Sequence, residues 1–113
     1  VSRGDSDRIA DILRAIDRCE RFSGSLNSEN PDLSDMAMDA VERNLQVVGE
    51  AANHLSAVVT GAHTEIPWPE IRGFRNILVH QYFSIDPSIL LEVIEQHLPP
   101  LRDALIRSQD RHA

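Results

Sequence analysis

The 113-residue sequence suits a single domain, 1–113, whose core buries roughly two-thirds of the unfolded chain's surface. Hydrophobic residues make up 42% and charged residues 26%, no apolar run reaches a membrane span, and the polar N-terminus lacks a signal-peptide stretch, so a cytoplasmic protein with no membrane partner is expected. A net charge of −7 excludes binding of nucleic acid through a generally basic surface, so an RNA substrate would need a local positive site.

The chain begins at Val1 rather than methionine, and a few native residues are expected upstream of it. The first helix is predicted from Ser6 to about Phe22, capped by Ser6 or Asp5. Ile9, Ile12, Leu13, Ile16, Cys19 and Phe22 recur in it at helical spacing. Cys19 is the only cysteine, which excludes an intrachain disulfide and a cysteine zinc site; its place on the apolar side predicts a small core residue. Arg8, Arg14, Arg18 and Arg21 lie opposite that stripe. They could guide RNA, but pairing with Asp7, Asp11 and Asp17 on a solvated face is the simpler account. Ser23 to Pro31 reads as a polar loop.

A second helix is predicted from about Ser34, capped by Ser34 or Asp32, through Val59. Met38, Val41, Leu45, Val48, Ala52, Leu55 and Val59 form a seam for antiparallel packing. Gly49 inside it costs about 1 kcal/mol relative to alanine and predicts close approach of a neighbouring helix. After a loop over Thr60–Pro67, Pro69 opens a third helix reaching about Gln81, with Trp68 as a core or staple residue. Asp86-Pro87-Ser88 opens a fourth, carrying Leu90, Ile94, Leu98 and Leu101. Pro99-Pro100 must kink or restart it before a last piece ending near Ser108. The expected fold class is all-α, a four- to five-helix up-down bundle.

The third helix carries the candidate chemistry. On a wheel of about 100° per residue, Ile71, Phe74 and Leu78 share a core face, while Arg72, Arg75, Asn76 and His80 occupy another sector that holds no carboxylate. Asn76 and His80 stack one turn apart, and Arg75 and His80 are separated by roughly 140°, flanking a phosphate-sized opening rather than touching. Such a sector serves either as an anion-binding face or as a solvated polar face; spacing does not decide. Internal transesterification of RNA needs a base for the 2′-hydroxyl proton and an acid for the leaving 5′-oxygen, and histidine suits both. A symmetric homodimer pairing two third helices would bring two His80 and two Arg75 into one cleft, with arginine stabilising the transition-state charge. His54, His63, His97 and His112 show no metal-ligand spacing and read as surface or bundle histidines. Glu50 either orients a site arginine or has an ordinary surface or interface role.

Arg75-x4-His80-x-Tyr82 resembles the R-x4-H-x-Y motif of HepT-like toxins of the HEPN superfamily. Arg43-Asn44-Leu45-Gln46-Val47-Val48-Gly49-Glu50-Ala51-Ala52 resembles that family's second helix. Ile66 to Phe74 resembles its approach to the motif, and Tyr82-Phe83-Ser84-Ile85-Asp86 its exit; the likeness runs over roughly residues 6 to 107. The resemblance implies a dimeric, metal-independent endoribonuclease acting as the toxin of a type VII toxin–antitoxin pair. It implies Arg75 and His80 as the catalytic pair and Asn76 as their polar neighbour; from the acid-free sector, Arg72 and Arg75 are the expected binders of RNA phosphate. It further implies an MntA-like minimal nucleotidyltransferase antitoxin that AMPylates Tyr82, the chain's only tyrosine. No cofactor is expected in the chain itself, ATP and Mg being used by that partner. The competing expectation is a non-catalytic HEPN subunit that binds nucleotide or substrate for a nucleotidyltransferase. A purely structural dimerising bundle is a third, and it leaves the acid-free polar face unexplained.

Overall fold

Two long amphipathic helices set the frame: α1 (Arg3–Ser23) and α2 (Pro31–Asn53). They belong to a computed structural model that describes residues 2–74 and 86–110. Four further helices follow among the described residues, α3 (Ala57–Ala62), α4 (Trp68–Arg72), α5 (Pro87–Gln96) and α6 (Leu98–Asp110). The described residues contain no strand, in keeping with the all-α expectation.

α1 and α2 make the main packing pair; α6 lies on α1 and α5, α5 also touches α1 and α2, and α4 rests on α2. The predicted stripe of α1 is the buried one, with Ile9, Ile12, Ile16 and Cys19 all fully enclosed. Val41, Leu45, Val48 and Ala52 of α2 face them, and Leu90, Leu98, Leu101 and Leu105 close the core from the C-terminal helices.

Several boundaries differ from the sequence expectation, each for a local reason. α1 starts at Arg3 because the Ser2 hydroxyl, not Ser6 or Asp5, caps it, accepting the Asp5 N–H at 3.0 Å. α2 starts at Pro31 because the Asn30 side chain takes the Asp32 N–H at 3.0 Å. Ser34 is therefore free for another task, donating its hydroxyl to the Leu26 carbonyl at 2.9 Å and closing the α1–α2 loop.

The predicted second helix is also two helices. α2 ends at Asn53, where the His54 and Leu55 N–H groups turn tightly onto Ala51 and Ala52. The next N–H, from Ser56, is captured by the Asp5 carboxylate at 2.9 Å rather than continuing the helical ladder. α3 then begins at Ala57 and takes in Thr60–Ala62, placed in a loop by the sequence pattern. Leu55 and Val59 stay buried despite the break, 7% and 1% exposed. Pro99 and Pro100 restart the C-terminal helix within its first turn, where their missing N–H groups cost nothing. That helix runs to Asp110 rather than to Ser108.

Candidate functional site

Arg75, Asn76, His80 and Tyr82 lie outside the described residues, as do Ile77, Leu78, Val79 and His112. The structure describes the two flanks from which the motif segment leaves and to which it returns. On the N-terminal side, α4 is pinned by Trp68, buried to 6% exposure. Its indole Nε1–H donates to the Thr60 carbonyl at 3.1 Å and the His63 carbonyl at 3.0 Å. Trp68 is thus the core residue the sequence predicts, with its one polar atom satisfied twice.

Ile71 is fully enclosed, and the next residue, Arg72, is exposed at the C-terminal end of this one-turn helix, where a cation also suits the helix dipole. Gly73 then ends α4, its N–H bonding the Pro69 and Glu70 carbonyls at 3.0 and 3.1 Å. A Cβ there would sit 3.2 Å from the Pro69 carbonyl oxygen, a tight contact. Of the helix expected from Pro69 to Gln81, the described part is broken at Gly73, a turn residue after which Phe74 is helical again; the remainder, with the sector of Arg75, Asn76 and His80, lies outside the described residues.

Phe74 is the last described residue before the motif and is buried, its ring meeting His97 edge-on at 6.1 Å between centroids. His97 caps the C-terminal end of α5. Asp86, the first described residue after the motif, caps the N-terminal end of the same helix by accepting the Ser88 N–H at 2.9 Å. Backbone and side-chain hydrogen bonds from Ser88 hold the Asp86 carboxyl below its ordinary range. Phe74 and Asp86, the described residues on either side of the motif, thus lie at opposite ends of α5.

The remaining polar clusters give other answers. His63 and Ser108, 4% and 5% exposed, join Nε2 to Oγ at 2.6 Å, and His63 Nδ1 lies 3.5 Å from Glu65. The order mimics a hydrolase triad, but a nucleophile so enclosed offers no seat for a substrate, and the cluster ties the α3–α4 connection to α6. Glu65 in turn meets Arg107 at 3.1 Å. The His63–Ser108 and Glu65–Arg107 pairings span more than forty residues, and no local pattern announces them.

On α1, Arg14 pairs with Asp11 and Arg21 lies 3.9 Å from Asp17, as the solvated-face account expects; Arg14, Arg18 and Arg21 line an open groove with Leu13 and Asp17. A second groove between α1 and α2 is lined by Arg8, Asp11, Val47, Glu50, Ala51 and His54. Gly49 is buried within α2, and Glu50 beside it is exposed. Among the described residues no group of three or more His, Cys, Asp or Glu side chains could hold a metal ion, and no described helix is long and apolar enough to cross a membrane.

The family model for ribonuclease HepT-like proteins matches residues 12–107. The chain is 30% identical over 102 residues to "Probable ribonuclease HepT" of Thermococcus cleftensis, covering 90% of this chain and 93% of that protein. It is 29% identical over 92 residues to a Methanocaldococcus jannaschii protein described as "Putative RNase", covering 81% and 84%. A second protein of that organism, "Gamma-glutamylcyclotransferase and putative RNase", is 28% identical over 96 residues, which are 85% of this chain but 43% of that longer protein. No solved structure matches. The matched interval takes in both described flanks and the whole R-x4-H-x-Y segment between them, and on that extent the chain belongs to the ribonuclease HepT-like family.

Proposed function

We propose that this chain is a metal-independent endoribonuclease of the HEPN type and the toxin of a type VII toxin–antitoxin pair. The observation that carries the proposal is the family match over 12–107, an interval that contains Arg75, His80 and Tyr82 in the family's motif spacing. In the proposed reaction the RNA 2′-oxygen attacks the adjacent phosphorus, giving a 2′,3′-cyclic phosphate. One His80 accepts the 2′-hydroxyl proton, and a second His80, from a symmetry-related copy, protonates the departing 5′-oxygen. Arg75 neutralises the charge gathered on the phosphorane, Asn76 supports the pair, and Arg72 adds positive charge at the exposed end of α4.

Control would act at Tyr82. An MntA-like nucleotidyltransferase partner would join the phenol oxygen to the α-phosphorus of ATP, releasing pyrophosphate and the phenolic proton. The adduct would place a phosphate against Arg75 and exclude RNA.

The decisive experiment incubates RNA with wild type and His80→Ala in the presence of EDTA and the absence of any partner. Wild type should cleave, and the variant should lose about 100-fold or more of the rate. Equal behaviour of the two would replace the enzyme by a binding subunit. With the partner and ATP, mass spectrometry should find one AMP on Tyr82; an adduct elsewhere, or none, removes the proposed regulation.

A further inference from the structure

Arg14, Arg18 and Arg21 are three of the chain's 11 basic residues, and they fall within about 60° of the circumference of α1. All three are exposed, and with Leu13 and Asp17 they line an open groove of about 360 Å³. Three guanidinium groups against one carboxylate give that lining a local positive charge on a chain of net charge −7. Two ordinary explanations cover only part of the row. The helix dipole favours a cation in the last turn, which accounts for Arg21 but not for Arg14 or Arg18. Ion pairing accounts for Arg14, which donates to Asp11 at 2.5 Å, and loosely for Arg21, 3.9 Å from Asp17. Both of these arginine side chains are 65% exposed, where a pair is worth about 0–1 kcal/mol and occupies only part of the guanidinium fork. Arg18, between them, makes no ion pair among the described residues. Arg21 is also steadied from its own helix, its guanidinium carbon 5.6 Å from the centre of the Phe22 ring.

We propose that this groove on α1 binds the phosphodiester backbone of an RNA strand, as a track formed by residues outside the motif segment. From Arg14 to Arg21 the helix rises about 10 Å, so the charges are spread along a strand rather than gathered on one phosphate ion. Arginine suits the task because its planar fork gives two parallel N–H bonds to one phosphate. The groove is open, so it admits a strand lying across it rather than a ligand enclosed within it. A membrane surface carries phosphodiesters too, but a helix that lies on one exposes an apolar face beside its arginines. Here Leu13 is half-buried, and Ile12, Ile16 and Cys19 are enclosed in the core. With a net charge of −7 the surface at large repels RNA, so a local row of arginines decides where a strand can rest. Contacts to the backbone position a strand and contribute alike to every sequence. The choice of RNA rests on the ribonuclease reading; the charge of the groove does not.

Fluorescence anisotropy with a labelled, single-stranded 2′-O-methyl oligoribonucleotide of mixed sequence tests the track without cleavage, because the blocked 2′-oxygen cannot attack. Wild type is compared with the groove triple Arg14→Gln, Arg18→Gln and Arg21→Gln. A control triple, Arg3→Gln, Arg8→Gln and Arg107→Gln, changes the net charge equally at exposed positions outside the groove. The groove triple should weaken binding about tenfold or more, with helicity unchanged by circular dichroism. It should also flatten the slope of log Kd against log salt by about 0.7 per arginine, about 2 in all. The control triple should do neither. Equal effects of the two triples would show that net charge holds the strand and would overturn the proposal. So would a wild type that binds no RNA, or a groove triple that binds like wild type. Displacement of the strand by inorganic phosphate at matched ionic strength would make the groove an ion site, and capture by phosphatidylglycerol vesicles in place of RNA a lipid site; either overturns the strand. Cleavage of unmodified RNA is scored separately. Groove-dependent binding without cleavage would keep the track and remove the ribonuclease; cleavage with binding indifferent to the groove triple would do the opposite.

Discussion

Asp5 sits in the first turn of one helix and serves another. Its carboxylate, 3% exposed with its residue, accepts the Ser56 N–H at 2.9 Å and the Ser56 hydroxyl at 2.6 Å. Ser56 is the cap position of α3 and its own side chain makes no capping bond there, so Asp5 supplies the anion at that helix start from 51 residues away. Burial pushes the Asp5 carboxyl up, but the hydrogen bonds from Ser56, with smaller help from Ser2 and the N-terminal charge, together outweigh it and hold the group below its ordinary value of 3.8. A folded-state value below the unfolded one stabilises above the unfolded value, and the contribution fades as pH falls through the folded value. Asp5→Ala should therefore cost about 1–3 kcal/mol in urea unfolding near pH 7. The gap between the two proteins should narrow as pH drops below 3.8. A gap constant with pH would mean that only packing was lost. Single-residue legibility follows the same division. Cys19 and Trp68 were readable because an apolar stripe and a Pro-flanked indole report their own burial. Asp5 was not, because the sequence offers it, with Ser6, only as a cap of its own helix, and its actual role depends on a distant serine.

Among the elements, helix existence followed from apolar periodicity, and helix continuity did not. The stripe through Leu55 and Val59 runs on unbroken in sequence while the backbone turns at His54, since a buried position can be filled from either side of a break. Likewise Gly73 interrupts a pattern whose core residues, Ile71 and Phe74, are both buried as expected. The short connections are held instead by side chains that the pattern cannot pair. His63, in the α3–α4 connection, meets Ser108 of α6 at 2.6 Å inside the protein. Ser108→Ala should leave that ring nitrogen buried without a partner and cost about 1–3 kcal/mol. The urea midpoint should fall with an unchanged slope, as expected when stability changes but the surface exposed on unfolding does not. A midpoint equal to wild type would show that the α3–α4 connection is held by Trp68 and Ile66 alone.

For the whole molecule, charge and site are separable. A chain of net charge −7 must concentrate whatever holds RNA, and the motif proposed to do so was legible as a short string because its residues are local in sequence: Arg75, Asn76, His80 and Tyr82 fall within eight residues. The frame around it was less legible, since the flanking residues Phe74 and Asp86 meet His97 and Ser88 of a helix that follows the motif in the chain.

That frame is one core, and Cys19 reports on it. The thiol is fully enclosed between α1 and α2, 3.9 Å from the Val41 carbonyl, and burial pushes it up to about 12. Reagents attack the thiolate, so labelling at pH 8 requires α1 and α2 to part. If the core opens as a unit, native labelling should run at least about a thousandfold slower than in urea-unfolded chain, the factor set by a stability of 5 kcal/mol or more. Its rate should rise with urea in step with the loss of helicity. Rapid labelling while helicity is intact would show instead that the α1–α2 pair opens independently of α5 and α6, and the single core would have to be divided.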